Sequence, residues 1–277
     1  MLSVLDLKTM KENNEKLSMV TAYDYPSAKQ AEQAEMDMIL VGDSVGMVVL
    51  GYESTVEVTM DDMIHHAKAV KRGAPNTFTA VDMPFMSYHI SLEDSLRNAK
   101  RLFQETNAQC LKIEGNSAET PLFIQRLAEA GIPVIAHLGL TPQTVNVLGG
   151  FKVQGKNKDA GEKLLNDAKT MADCGAAALV LECVPKELAE MVTNAISIPT
   201  IGIGAGSDCD GQVLVYHDIL KYGVDRLPKF VKSFADFNDT GTEALQSYIS
   251  EVKQKNFPDD AHSFLMKHND SLPDNGK

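Results

Sequence analysis

Polar and charged residues stand at the ends of short apolar runs along this chain: Asp24, Asp43 with Ser44, Asp82, Lys112 and Glu114, His137, and Glu182. Any one of them could serve as a cap or a loop hydrogen-bond partner, since Asp and Ser favour strand-to-helix turns. Four aligned carboxylates are harder to explain that way. Asp43, Asp82, Glu114 and Glu182 gathered without a cation would repel one another, or some would have to take up protons. A bound metal removes the conflict. All-oxygen ligands, with no paired-Cys or paired-His site, favour a hard divalent ion: Mg²⁺ first, with Mn²⁺ or Co²⁺ as substitutes. Lys112 and Glu114 lie two apart, hence on one face of a strand, where an inward ammonium beside a metal would hold an anionic oxygen. A plain buried Lys–Glu pair is the alternative.

The elements that must position these residues follow from period. Apolar runs at 17–24, 36–44, 78–84, 110–116, 133–140, 177–184 and 199–205, with a weaker one at 211–216, alternate with amphipathic stretches. In 91–107, Leu92, Leu96, Ala99, Leu102 and Phe103 recur at helical spacing behind a Ser-x-Glu-Asp opening. Near-continuous apolar strands alternating with helices imply a parallel sheet, and eight such units point to an α/β barrel of the (βα)8 type. Pattern alone leaves an open doubly wound sheet as an alternative. In a barrel the strand C-termini share one rim, so the residues above would meet around a single pocket. The expected organisation is one domain over 1–277, with a helical segment at about 1–15 and a C-terminal helix plus polar tail at about 238–277. Long loops at 52–59 and 139–157 break the rhythm, as functional βα loops do.

At 277 residues, 44% hydrophobic and 23% charged, the chain can bury a sizeable core, which excludes disordered and fibrous classes. A net charge of -12 argues against a nucleic acid or an anionic membrane as partner, so any anionic substrate needs a locally positive site. No apolar stretch reaches transmembrane length, and the chain reads as cytoplasmic. Cys110, Cys174, Cys183 and Cys209 form no CxxC pair and read as reduced thiols. Other candidates are weaker. His65 and His66 are adjacent on a helix pattern and read as solvated surface. The segment 150–156 fails as a phosphate loop, because Asn157 stands where Ser or Thr must meet Mg²⁺. Gly202, Gly204 and Gly206 miss the dinucleotide fingerprint at Ser207, leaving a tight turn or close backbone approach as their reason.

The stretches TAYDYPSAKQAE, ILVGDSVGMVVLGYEST, VDMPFMSYH, LKIEGN, AHLGLTPQ, GGFKVQGK, LECVP and IGIGAGSDCDGQVLVYHD, in this order, closely resemble the ketopantoate hydroxymethyltransferase family. The resemblance runs from about Lys16 to Phe237. It implies a (βα)8 barrel related to phosphoenolpyruvate- and isocitrate-lyase-type enzymes. It also implies hydroxymethyl transfer from 5,10-methylenetetrahydrofolate to 3-methyl-2-oxobutanoate, at the start of pantothenate synthesis, and a decameric assembly. By the same resemblance Asp43, Asp82 and Glu114 would bind or surround Mg²⁺. Asp43, Ser44, Asp82 and Lys112 would contact the keto acid, Glu182 would be the proton acceptor, and His137 would line the pocket. The chain departs from the pattern at EGN, where a second glycine is common, and in KYGVDRLPKF; neither touches a proposed ligand.

Rival readings start from the same residues. A Schiff-base aldolase would use Lys112 as nucleophile. A metal-dependent carbon–carbon lyase would exploit the same chelated enolate. A binding or scaffold protein would use the rim carboxylates only as loop caps.

Overall fold

The eight apolar runs form eight parallel strands, each hydrogen-bonded to the next, with the last paired back to the first. They are β1 (Leu17–Thr21), β2 (Met38–Val41), β3 (Phe78–Asp82), β4 (Cys110–Glu114), β5 (Val134–Gly139), β6 (Ala178–Glu182), β7 (Thr200–Ile203) and β8 (Gly211–Leu214). The sheet is therefore a closed barrel and not an open one. The computed structural model describes residues 1–266; the end of the expected polar tail, 267–277, lies outside the described residues.

Period-two alternation sorts the strand residues into two cores. Leu17, Met19, Met38, Leu40, Phe78, Ala80, Cys110, Ile135, Ala178, Val180, Ile201 and Val213 fill the barrel. Ile39, Val41, Val81, Leu111, Ile113, Val134, Ala136, Leu138, Leu179 and Leu181 face outward and pack under the helices. The outer layer comprises α2 (Tyr25–Gln33), α4 (Met60–Gly73), α5 (Leu92–Thr106), α6 (Thr120–Glu129), α8 (Lys158–Asp173) and α9 (Lys186–Ala195), with short α3 (Val45–Val48), α7 (Val145–Leu148) and α10 (Tyr216–Leu220) in the loops. The expected helical start appears as α1 (Val4–Glu12), opened by a Ser3–Asp6 capping box. Its Leu7 is fully buried in the barrel-interior cluster, and Lys11 pairs with Asp210 ahead of β8, so α1 plugs the N-terminal end.

The chain after β8 leads to α11 (Phe237–Gln254), which starts there because Asp236 accepts a hydrogen bond from the Asp239 amide and caps it. This helix buries none of its residues, and Leu245, Tyr248, Ile249 and Val252 lie exposed along it. Among the described residues no helix is long and apolar enough to cross a membrane.

Candidate active site

Strand register brings the singled-out residues to one rim. Asp82 pairs with Lys112, Glu114 with His137, and Gly139 with Glu182 across adjacent strands, while Asp43 lies two residues beyond the end of β2. Phe78, Ala80 and Asp82 alternate inward along β3, as Cys110, Lys112 and Glu114 do along β4, so the same pleat that fills the lower barrel with apolar side chains fills its top with charge. Gly42 makes room for this. A Cβ there would stand 2.9 Å from Ser44 Oγ and 3.5 Å from Asp82 Oδ2.

A cavity of about 640 Å³ opens above these residues, lined by Asp43, Ser44, Asp82, Lys112, Glu114, His137 and Glu182. Asp24 is not among them. It caps α2, accepting from the Ser27 amide at 2.8 Å, and borders a separate aromatic recess with Tyr23, His217 and Tyr222. His65 is exposed as expected, but His66 is half-buried with Nδ1 2.6 Å from the Tyr23 carbonyl oxygen. The GIGAG glycines allow close approach of other side chains: a Cβ at Gly204, whose φ is +63°, would meet the Phe230 ring at 3.0 Å. The cysteines are all free.

Within the cavity Lys112 Nζ lies 2.8 Å from Asp82 Oδ1 and 3.4 Å from Glu114 Oε1. Asp82 Oδ2 accepts from the Asp43 amide at 3.0 Å. His137 Nδ1 is 3.2 Å from Glu114 Oε1, and its Nε2 approaches Glu182 Oε2 to 3.4 Å without hydrogen-bond alignment, leaving that buried nitrogen unpartnered among the described residues. Ser44 Oγ pairs with the Tyr23 hydroxyl at 2.8 Å.

Sequence reasoning missed the residues that tie these groups together. Gln143, in the loop after β5, donates from Nε2 to Asp43 Oδ2 at 2.8 Å and to the Met83 carbonyl at 2.9 Å. Its backbone N–H donates to Glu114 Oε2 at 3.2 Å. Tyr88 donates to Gln143 Oε1 at 2.8 Å and accepts from the Glu114 amide at 3.2 Å. Both residues fall within strand-end stretches quoted above, AHLGLTPQ and VDMPFMSYH, but neither carries a charge to attract notice.

The electrostatics follow from burial and neighbours. Burial pushes Asp43 well above the usual carboxylate range, with Glu114 and Asp82 adding repulsion. Burial also raises Asp82, against the pull of Lys112. Glu114 goes the other way: burial opposes its charge, but Lys112 and His137 together outweigh it and hold the group at about 2. Burial and Lys112 disfavour a charged His137, yet Glu114 and Glu182 push it up to about 9. Lys112 is held above its ordinary value because Asp82, Glu114 and Asp43 outweigh burial.

Among the described residues no group of three His, Cys, Asp or Glu side chains forms a ready-made metal cage. Both oxygens of Glu114 are taken by Lys112, His137 and the Gln143 amide. Asp43 and Asp82 are the carboxylates that suit a cation. Asp43 Oδ1 accepts no hydrogen bond from the described residues, and both acids are disfavoured as ions without an added positive charge. Mg²⁺ is commonly held by one or two carboxylates plus water and substrate oxygens, so the donor set fits such an ion.

The family model described as ketopantoate hydroxymethyltransferase matches residues 1–260. The chain is 62% identical over 262 residues to the 3-methyl-2-oxobutanoate hydroxymethyltransferase of Desulfitobacterium hafniense, covering 95% of this chain and 94% of that protein. In fold it is similar to 2,3-dimethylmalate lyase, a member of the PEP mutase/isocitrate lyase superfamily, with a TM-score of 0.57, 15% identity and coverage of 93% of this chain and 90% of the other. It is likewise similar to a phosphonopyruvate hydrolase solved with oxalate and Mg²⁺, with a TM-score of 0.61, 11% identity and coverage of 95% and 93%.

Proposed function

The chain belongs to the ketopantoate hydroxymethyltransferase family, and on that footing we infer that it forms 2-dehydropantoate by transferring a hydroxymethyl group to 3-methyl-2-oxobutanoate. The donor in this reading is 5,10-methylenetetrahydrofolate, with tetrahydrofolate as second product. The observation that carries it is the meeting of Asp43, Asp82, Lys112, His137 and Glu182 around one cavity at the barrel mouth.

Asp43 and Asp82 would hold the divalent ion, with Glu114 behind them. When bound, Mg²⁺, or Mn²⁺ or Co²⁺ in its place, would supply a Lewis acid toward the carboxylate and ketone oxygens of the keto acid. Ser44, steadied by Tyr23, would contact the substrate beside Asp43 and Asp82. Lys112, fixed between Asp82 and Glu114, would place a positive charge beside the C2 oxygen as it gains negative charge. The Glu182 carboxylate would take the proton from C3, and His137 Nε2 is free to bond that carboxylate or the substrate. C3 then forms a bond to the methylene carbon, whose two bonds to the folate nitrogens break; water supplies the hydroxyl, and its second proton together with the proton taken from C3 restores the two folate N–H groups. A Schiff base through Lys112 is disfavoured, because its carboxylate neighbours keep it protonated. We also propose self-assembly, with the decamer as the expected form; the exposed apolar residues of α11 support a covering partner copy.

Two measurements test the reaction. Tetrahydrofolate release, coupled to 3-methyl-2-oxobutanoate and followed with and without chelator, should depend on both keto acid and metal. Hydrogen exchange at C3 in D₂O should fall by about 10²–10⁴ in Glu182→Gln. Undiminished exchange removes Glu182 as the base.

A further inference from the structure

In a reduced folate the one-carbon unit sits between two ends, a flat bicyclic pterin and an aminobenzoyl group carrying glutamate. For that unit to reach C3 of a keto acid seated on Asp43, Asp82 and Lys112, the two ends must leave the barrel mouth in different directions. The rim offers two unlike surfaces. The loops after β2 and β5 meet over one side, enclosing a recess of about 420 Å³ lined in part by Met47, Glu53, Thr55, Asn146 and Phe151. Met47, Thr55, Pro142 and Phe151 also line the central cavity, so the two spaces share a wall. The segment after β8 brings Arg226 and Lys229 to the margin of the same central cavity, and β8 lies across the ring from β4.

Two features of the recess suit a pterin. Glu53 provides a carboxylate, which can accept two parallel hydrogen bonds from the adjacent ring N–H and exocyclic amine of a 2-amino-4-oxo pteridine. Met47 and Phe151 provide apolar surface for the flat ring. A third observation is independent of shape. Thr55 Oγ1 is buried, with the residue 3% exposed, and has no hydrogen-bond partner among the described residues. A buried hydroxyl left unpaired is costly, and its place on the shared wall points to a polar group supplied by a ligand.

We propose that this recess is the pterin subsite of the one-carbon donor and that Arg226 and Lys229 receive its glutamate carboxylates. The assignment rests on the donor reading above. In a chain of net charge -12, such a pair of rim cations is the local positive site that an anionic tail requires.

Steady-state kinetics of the full chain with 5,10-methylenetetrahydrofolate varied, at saturating keto acid and Mg²⁺, test it. Glu53→Gln should raise the donor KM by about tenfold or more, while C3 exchange without donor reports that the keto-acid site is intact. Thr55→Val should raise the donor KM with an unchanged or higher Tm; a hydroxyl with a purely structural role would leave KM alone. Replacing Arg226 and Lys229 together by Ala should erase any preference for a polyglutamyl over a monoglutamyl donor. Unchanged donor KM in both Glu53→Gln and Thr55→Val, with wild-type turnover intact, overturns the pterin subsite and leaves the donor reading standing. An undiminished polyglutamyl preference in the double variant overturns the tail assignment. A wild-type chain that releases no tetrahydrofolate overturns the donor reading itself.

Discussion

Gln143→Met tests whether the polar belt behind the site sets metal affinity. The change keeps side-chain length and volume close to native but removes three hydrogen bonds, to Asp43 Oδ2, to the Met83 carbonyl and from Tyr88. All three partners are buried, and each group left unpaired costs about 1–3 kcal/mol. Tyr88 suffers least, since its hydroxyl already approaches the Glu114 carbonyl at 3.4 Å and can donate there. A total near 3 kcal/mol would lower Tm by about 6–12 °C in a chain of this size. Asp43 keeps its charge but loses the donor that aims it, and a partner of that kind is typically worth 10–100-fold in metal affinity. The Mg²⁺ concentration for half-maximal tetrahydrofolate release should therefore rise by about 10–100-fold, with a smaller fall in kcat at saturating metal. Gln143→Glu should be worse near neutral pH, because it sets a like charge against Asp43 where a donor now lies at 2.8 Å. A lowered Tm with unaltered Mg²⁺ half-saturation would refute the argument: Gln143 would be a packing residue, and Asp43 would lose its support as a ligand.

Three further outcomes follow from the same geometry. Lys112→Met strips the ammonium from Asp82 and Glu114 and should cost about 3–5 kcal/mol, read by thermal unfolding, with C3 exchange strongly reduced; full exchange would remove Lys112 from the reaction. Because burial raises Asp43 and Asp82, the metal-free protein loses the stability of holding those protons as pH rises through their raised values. The Tm gain on adding Mg²⁺ should thus grow with pH, approaching the effect of about 2.7 kcal/mol expected at a hundredfold excess over Kd, and a gain that shrinks with pH would contradict the ligand assignment. Leu7→Ala should cost about 2–5 kcal/mol by opening the plug at the far end of the barrel, with the KM for keto acid and the Mg²⁺ half-saturation unchanged.

The first seven strands were legible because a barrel buries both faces, which makes a strand an apolar run; β8, with Gln212 exposed, gave the weaker signal. Strand ends were less legible. The run at 36–44 shrinks to Met38–Val41, the chain leaving the ladder at Gly42 so that Asp43 and Ser44 line the mouth, and apolar pattern does not register that departure. Asp43, Asp82, Glu114 and Glu182 stood out because a carboxylate at the end of an apolar run is costly without a purpose. Asp24 looked the same but was a helix cap, and the discriminating sign was local: Pro26 in the first turn and Ser27 three residues on. Gln143 was illegible for the opposite reason. A neutral amide in a Thr-Pro-Gln turn reads as ordinary loop, and its role exists only once β2, β4 and β5 are brought together.

The site's charge balance separates two kinds of carboxylate. Asp43, Asp82, Glu114 and Glu182 against Lys112 and a protonated His137 leave two negative charges if every group ionises. The distribution is uneven. Glu114, touched by both cations, is held at about 2, whereas Asp43 touches neither and is pushed furthest upward by burial. Lys112 reaches only one oxygen of Asp82, which remains raised. The chain thus neutralises Glu114 with its own side chains and leaves Asp43 and Asp82 in need of a charge from outside. A divalent ion held by that pair of acids would supply the two charges that are missing. On this argument Glu114 orders Lys112, His137 and Gln143 around the cavity, and the direct protein contacts of a bound ion would come from Asp43 and Asp82.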